Sequence, residues 1–207
     1  MDATVAGGEL VLASRSPQRR AILETLGVPF RVRVSDAEER TDGDPIAVAV
    51  ENARRKALAV ADGEPPGTLV LGADTVIVDD LDDRAVAGER AVGKPADAAE
   101  AAAMLRRWSG RGHHVASSVA VVRAAAAGGH ELVLAEADTT LVRFRELGED
   151  ELDWYVATGE WRDRAGGYAI QLRGTLLVDG IDGDWWTVVG LPVALLARRL
   201  PGLLRRP

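Results

Sequence analysis

LVLASRSPQRRAILETLG, from Leu10 to Gly27, sets a strand directly before a helix in this 207-residue chain. Its first four residues form a continuous apolar run of the kind found in strands buried on both faces. The run breaks at Ser14-Arg15-Ser16-Pro17, and apolar residues return with helical spacing at Ile22, Leu23 and Leu26. Ser16 suits an N-cap, Pro17 the first helical position, and Gly27 the left-handed residue beyond the end. A strand therefore feeds straight into a helix whose N-terminus carries two hydroxyls, free backbone N–H groups and the pair Arg19-Arg20. Such a helix start accommodates an anion, a phosphate most naturally. A capped surface helix with solvated arginines is the alternative that this stretch alone leaves open.

Composition narrows the classes. Apolar residues at 47% and charged residues at 28% are ordinary for a soluble globular protein, and the length suits a single domain over residues 1–207, with room for two lobes. A net charge of −7 argues against a nucleic-acid partner, which calls for a basic face. The absence of cysteine excludes disulfides and thiolate sites, and three histidines leave little for zinc. The opening MDATVAGGEL lacks the basic and apolar regions of a leader, and no run reaches membrane-spanning length, so a cytoplasmic protein without a membrane partner is expected. Of 25 basic residues only Lys56 and Lys94 are lysines. Arginine fills nearly every other cationic position, which suggests that a compact ammonium was kept where a planar guanidinium would not fit.

Further along, Phe30 to Val34 alternates as a strand and runs into the acidic loop Ser35 to Gly43. Asp44-Pro45 opens a helix to about Ala61, with Lys56 one turn beyond Asn52 on the flank of its apolar stripe. Thr68 to Val78 is an apolar run with Asp74 in its middle, an arrangement that is costly unless the acid meets a metal, a cation or hydrogen-bond donors. Gly72 just before it allows a bulge or the close approach of a ligand. Asp79 to Arg90 reads as a turn-rich acidic connection, and Gly93-Lys94-Pro95 holds the second lysine in a rigid loop. A helix over Ala98 to Trp108, with a capping box from Asp97 and Glu100, precedes strands at Val115 to Val122 and Glu131 to Phe144. His113 and His114 read as structural. Glu149 to Ala157 is helical with Trp154 in the core, and Gly159 to Tyr168 reads as a binding loop. Ala169 to Gln171 and Gly174 to Asp179 suggest strands, and a last helix runs from about Pro192 to Leu200. The adjacent Trp185 and Trp186 divide between core and interface, leaving room for a homodimer contact. Interleaved strands and helices imply an α/β class with a mixed or parallel sheet flanked by helices. Neither a Walker loop nor a dinucleotide GxGxxG occurs.

Taken together, LASRSPQRR (Leu12 to Arg20), Glu39 after the second strand, GADT (Gly72 to Thr75), GKP (Gly93 to Pro95), DRAGGYAIQ (Asp163 to Gln171) and VVGLP (Val188 to Pro192) resemble, in that order, the Maf family of nucleoside triphosphate pyrophosphatases. The resemblance spans about Leu10 to Leu200. It implies a two-lobed α/β fold like that of the inosine-triphosphatase-type enzymes, with the active site in the cleft. It also implies hydrolysis between the α and β phosphates to a monophosphate and pyrophosphate, with Mg²⁺ or Mn²⁺ as cofactor. Carried onto this sequence, Ser14 and Arg19 bind phosphate, Lys56 and Lys94 neutralise the triphosphate, and Glu39 and Asp74 handle metal and water. Whether Asp74 holds the metal or acts as the base is left open.

The family's residues associated with substrate choice fall on Gln18, Thr75 and Gln171. Thr75 and Gln171 match the branch preferring dTTP and UTP. Gln18 stands where arginine is usual, and Arg164 where lysine is usual. Pyrimidine preference with weaker discrimination is expected, CTP and non-standard nucleotides being admitted as well. The competing reading is a nucleotide-binding regulator of cell division or septum formation with little or no catalysis, which a complete set of acids and lysines disfavours.

Overall fold

The computed structural model describes residues 8–78 and 91–205, so the connection read at Asp79 to Arg90 lies outside the described residues. Its elements run β1 (Leu10–Leu12), α1 (Pro17–Thr25), β2 (Arg31–Val32), α2 (Pro45–Ala61), β3 (Leu69–Val78), β4 (Ala91–Val92) and α3 (Ala98–Trp108). They continue with β5 (Gly112–Ala124), β6 (His130–Phe144), α4 (Glu149–Thr158), β7 (Val178–Asp182), α5 (Trp185–Val189), α6 (Val193–Arg199) and α7 (Pro201–Leu204). This is the mixed α/β sheet flanked by helices that the sequence implies. The chain divides into two compact units at Asp74/Thr75, Ala116/Ser117, Asp138/Thr139 and Val189/Gly190, so β3, β5 and β6 each contribute to both.

In the first unit the strand order is β2-β1-β3-β5-β6. β1 pairs in parallel with both neighbours, Val11 lying opposite Arg31 and Val70. β5 joins antiparallel, the Gly67 N–H donating to Ala124 O at 2.8 Å and the Ala124 N–H to Thr68 O at 2.9 Å. Helix α1 begins as its sequence requires. Ser16 Oγ accepts from the Arg19 N–H at 3.4 Å, and Gly27 takes the left-handed φ of +66° just past the end. Asp44 caps α2 by accepting from the Ala47 N–H at 2.7 Å. Ala53, Ala57 and Val60 of α2 then pack on Val11, Ala13, Val70, Ala120 and Val122 of the sheet. The small residues let backbones meet. A Cβ added at Gly72 would lie 2.1 Å from Ala53 O and 2.8 Å from Ala57 N. The glycine before Asp74 thus makes room for the backbone of α2.

The second unit pairs β4 antiparallel with the end of β3, Ile77 opposite Val92, and β7 antiparallel with β6, Leu141 opposite Asp182. Its core gathers Leu105 and Trp108 of α3, Leu152 and Tyr155 of α4, and Phe144, Tyr168, Ile170 and Leu177. His113 is buried there, sharing a 2.8 Å hydrogen bond with the Tyr168 hydroxyl, its ring 4.3 Å from that of Trp108 and tilted 39° to it. Burial holds its imidazole down at about 3, a structural histidine as the sequence suggests.

Three local expectations change. β2 is only two residues long, and Val32 and Val34 stay exposed at the sheet edge. Trp154 is 44% exposed, because Leu152 and Tyr155 define the inner face of α4 and residue 154 lies opposite them. The chain after Ile170 coils into a 3₁₀ turn at Arg173–Leu177 before β7. Gly174 permits that turn, its missing Cβ falling 2.5 Å from Ala169 O. The helix expected from about Pro192 to Leu200 is present at Val193–Arg199, and a further short helix starts after it at Pro201. Among the described residues no helix is long and apolar enough to cross a membrane.

Gly72→Ala should lower the stability to urea by about 1–3 kcal/mol, since the obstructing atoms are backbone and cannot rotate away. An unchanged midpoint would contradict the close approach of α2 to β3.

Candidate active site

Asp74 occupies the middle of β3, after the buried residues Leu71, Gly72 and Ala73. Its cost in an apolar strand is met from α2. Asp74 Oδ1 lies 2.9 Å from Lys56 Nζ, and Asp74 Oδ2 accepts from Asn52 Nδ2 at 3.4 Å. Asn52 and Lys56 are four apart, one above the other on the same helix face. The same Lys56 ammonium lies 2.6 Å from Glu39 Oε1, in the acidic loop before α2. The Lys56 side chain is 13% exposed, that of Asp74 19% and that of Glu39 57%. One compact cation thus stands between two carboxylates borne by a strand and a loop.

Arg19 braces the group from the other side. It is buried, with Nε donating to Gly190 O at 2.9 Å and Nη1 to Ser14 Oγ at 3.1 Å and Ala73 O at 2.9 Å. Burial draws its pKa below the ordinary arginine value, and the Asp74 and Glu39 carboxylates pull it back up. Ser14 Oγ also accepts from the Ser16 N–H at 3.2 Å, and the Asp74 carbonyl accepts from Ser118 Oγ at 3.2 Å. Strand end, helix start and catalytic aspartate candidate are therefore cross-tied. Gln18 sits beside them, half-buried, its Oε1 accepting from Ser16 Oγ at 2.9 Å.

Ser14, Arg19, Glu39, Lys56 and Asp74 are thus brought into one network within the first unit. Thr75, Lys94, Arg164 and Gln171 fall in the second. There Gly166 N–H donates to Gly93 O at 3.1 Å, tying the Lys94 loop to the turn that follows Arg164. Trp108 Nε1 donates to Gly166 O at 3.2 Å beneath that turn. Lys94 is exposed beside the buried Pro95, while Thr75, Arg164 and Gln171 are half-buried. Among the described residues, no three His, Cys, Asp or Glu side chains converge as a metal cage.

Two contributors go beyond the residues that the sequence singles out. Asn52 is 4% exposed, a polar residue inside an apolar stripe four before Lys56, and that pattern is the signal that could have found it. The Gly190 carbonyl carries no signal beyond its place in VVGLP, because any residue type offers a carbonyl there.

A family profile described as Maf-like protein matches residues 9–203. The chain is 47% identical over 187 residues to a dTTP/UTP pyrophosphatase of Symbiobacterium thermophilum, covering 89% of each. It is 45% identical over 199 residues to a dTTP/UTP pyrophosphatase of Anaeromyxobacter dehalogenans, covering 95% of this chain and 93% of the relative. It is 41% identical over 194 residues to one of Deinococcus radiodurans, covering 93% and 92%. Among solved structures, a HAM1 protein from Coxiella burnetii aligns over 67% of this chain and 73% of its own, at a TM-score of 0.40 and 19% identity. That likeness is too distant to carry a fold assignment.

Arg19→Lys keeps the charge but replaces a planar fork of donors by one shorter-reaching ammonium, so part of the bonding to Ser14, Ala73 and Gly190 is lost. A loss of about 2–3 kcal/mol in unfolding free energy is expected. Wild-type stability would show that the fork of donors is dispensable.

Proposed function

The chain belongs to the Maf family, and we propose that it is a nucleoside triphosphate pyrophosphatase acting on dTTP and UTP in the cytoplasm. The observation that carries this reading is the Lys56 ammonium held between Glu39 and Asp74. The names of relatives at 41–47% identity over most of the chain support the substrate.

The two carboxylates already hold a cation, and their hard oxygen donors converge on one position, as Mg²⁺ or Mn²⁺ requires. Two protein ligands suffice for such an ion, which normally keeps waters and takes phosphate oxygens as its remaining ligands. When bound, the metal supplies neutralisation of the phosphates and a more acidic water. Glu39 and Asp74 would hold it, with Asp74, fixed by Asn52 and Ser118, also placed to accept a proton from water. Lys56 would then offer its ammonium to the triphosphate. Ser14 donates from the start of α1, held in place by Arg19, whose buried charge adds to the local positive field. Lys94 and Arg164 supply the remaining cations. A triphosphate carries about four negative charges, so a protein of net charge −7 must concentrate cations locally. Attack in line at the α phosphorus then needs positioning and charge neutralisation more than covalent help.

For the base we propose Thr75 and Gln171, whose donors and acceptors suit the alternating carbonyls and N–H of a pyrimidine edge. Gln18 replaces the arginine usual at its position, and each lost bidentate contact relaxes selectivity by roughly 1–3 kcal/mol. CTP is therefore expected as a poorer substrate, and Gln18→Arg should sharpen the choice of dTTP and UTP.

Incubation with dTTP and Mg²⁺ should yield dTMP and pyrophosphate, and chelator should stop the reaction. Asp74→Asn should lower kcat by at least about 10²–10³ with folding retained. Near-wild-type turnover in folded Asp74→Asn would remove Asp74 from the mechanism. Lys94→Arg preserves charge and changes only shape. A fall in kcat/KM is expected there, and full activity would mean that the rarity of lysine is accidental.

A further inference from the structure

The loop carrying Glu39 has no regular secondary structure between β2 and α2, yet it must present one carboxylate to the same cation as Asp74 on β3. Its backbone is gripped on both sides of Glu39 from α2. Arg55 Nη1 donates to Glu38 O at 2.9 Å across the exposed side. On the buried side Asn52 Oδ1 accepts from the Arg40 N–H at 2.7 Å, and Asn52 Nδ2 donates to Arg40 O at 3.0 Å. Only one orientation of the amide satisfies both bonds, since the N–H of Arg40 needs the carbonyl end and its C=O needs the NH₂ end. The second hydrogen of that NH₂ faces Asp74 Oδ2 at 3.4 Å. One buried side chain therefore touches the loop next to Glu39 and the carboxylate of Asp74.

We propose that Asn52 is a positioning residue for the reaction, fixing the Glu39 loop against Asp74 so that the pair is set for a divalent cation whether or not Lys56 bridges it. The inference rests on the pyrophosphatase reading and deepens it. Lys56 also joins the two carboxylates, but by charge, so a metal ion competes directly for its place. The Asn52 grip is neutral and made to backbone. Exchange of one cation for another leaves it unchanged. Arg54 and Lys56 on the same helix cannot substitute: Arg54 is paired with Glu51 at 2.8 Å, and Lys56 makes no neutral bidentate contact. Arg40 is exposed, so its backbone groups can turn to water when Asn52 is replaced. Replacement should therefore free the loop without unfolding the protein.

The test compares wild type with Asn52→Leu, similar in size but without donors, and Asn52→Asp, similar in shape but unable to donate. Amide hydrogen exchange over residues 37–43 in the metal-free protein should quicken at least tenfold in Asn52→Leu and less in Asn52→Asp, whose carboxylate still accepts from the Arg40 N–H. The melting temperature should stay within a few degrees. In Asn52→Leu the Mg²⁺ concentration giving half-maximal dTTP hydrolysis should rise at least tenfold, with kcat partly recovered at saturating Mg²⁺. In Asn52→Leu, unchanged exchange, or a rate lowered equally at every Mg²⁺ concentration together with a lower melting temperature, would overturn the positioning role. If wild type hydrolyses no triphosphate, the pyrophosphatase reading fails and with it the catalytic role of Asn52, while the exchange comparison still decides whether the grip exists.

Discussion

A single ammonium, that of Lys56, lies between two carboxylates that reach it from different parts of the chain, Asp74 from a central strand and Glu39 from an irregular loop. Nearly every local choice in the first unit serves that meeting. Lys56 can reach Asp74 because α2 runs backbone to backbone against β3, and it does so because Gly72 has no side chain and Ala53 and Ala57 no more than a methyl. Any Cβ at Gly72 would push the helix, and the lysine with it, away from the strand. Asp74 in turn tolerates its apolar strand because donors meet it at Oδ1, Oδ2 and its carbonyl.

The opposite brace is arginine. Arg19 anchors Ser14, Ala73 and Gly190 with a planar fork of donors, a task that one ammonium could not perform. Lys56 does the converse, placing a compact charge where two carboxylates converge and where a metal ion would also be stable. The two lysines also differ from each other. Lys56 is largely buried and paired, whereas Lys94 is exposed on a loop stiffened by Pro95 and tied at Gly93 to Gly166. The rarity of lysine marks both positions, but burial and pairing separate their working states.

Much of this arrangement is legible in the amino-acid sequence. The strand-to-helix transition at Leu10 to Gly27 follows from local rules, an apolar run, a serine cap, a proline and a glycine, and these depend on neighbours in sequence. Asp74 is legible because an acid in an apolar strand demands a partner. The partners are harder to read. Asn52 shows only as a polar residue in an apolar stripe, with its hold on the backbone of Arg40 invisible in the sequence, and Gly190 acts through a carbonyl that any residue type would offer. Trp154 departs from expectation because aromatic character suggests core, while the helical phase of Leu152 and Tyr155 puts it outside. The segment after Ile170 reads as strand because its apolar residues mimic one, whereas Gly174 allows a turn too tight for a strand.

A crystal structure with Mn²⁺ and a dTTP analogue whose α–β bridge cannot be cleaved would decide whether Glu39 and Asp74 form the cation site of a triphosphate pyrophosphatase, held by Lys56 in the resting protein. Anomalous scattering should place Mn²⁺ between Glu39 and Asp74, with Lys56 moved from the carboxylates to a phosphate oxygen and Asn52 still bonded to Arg40. A manganese peak elsewhere, with Lys56 still bridging both carboxylates, would contradict the account.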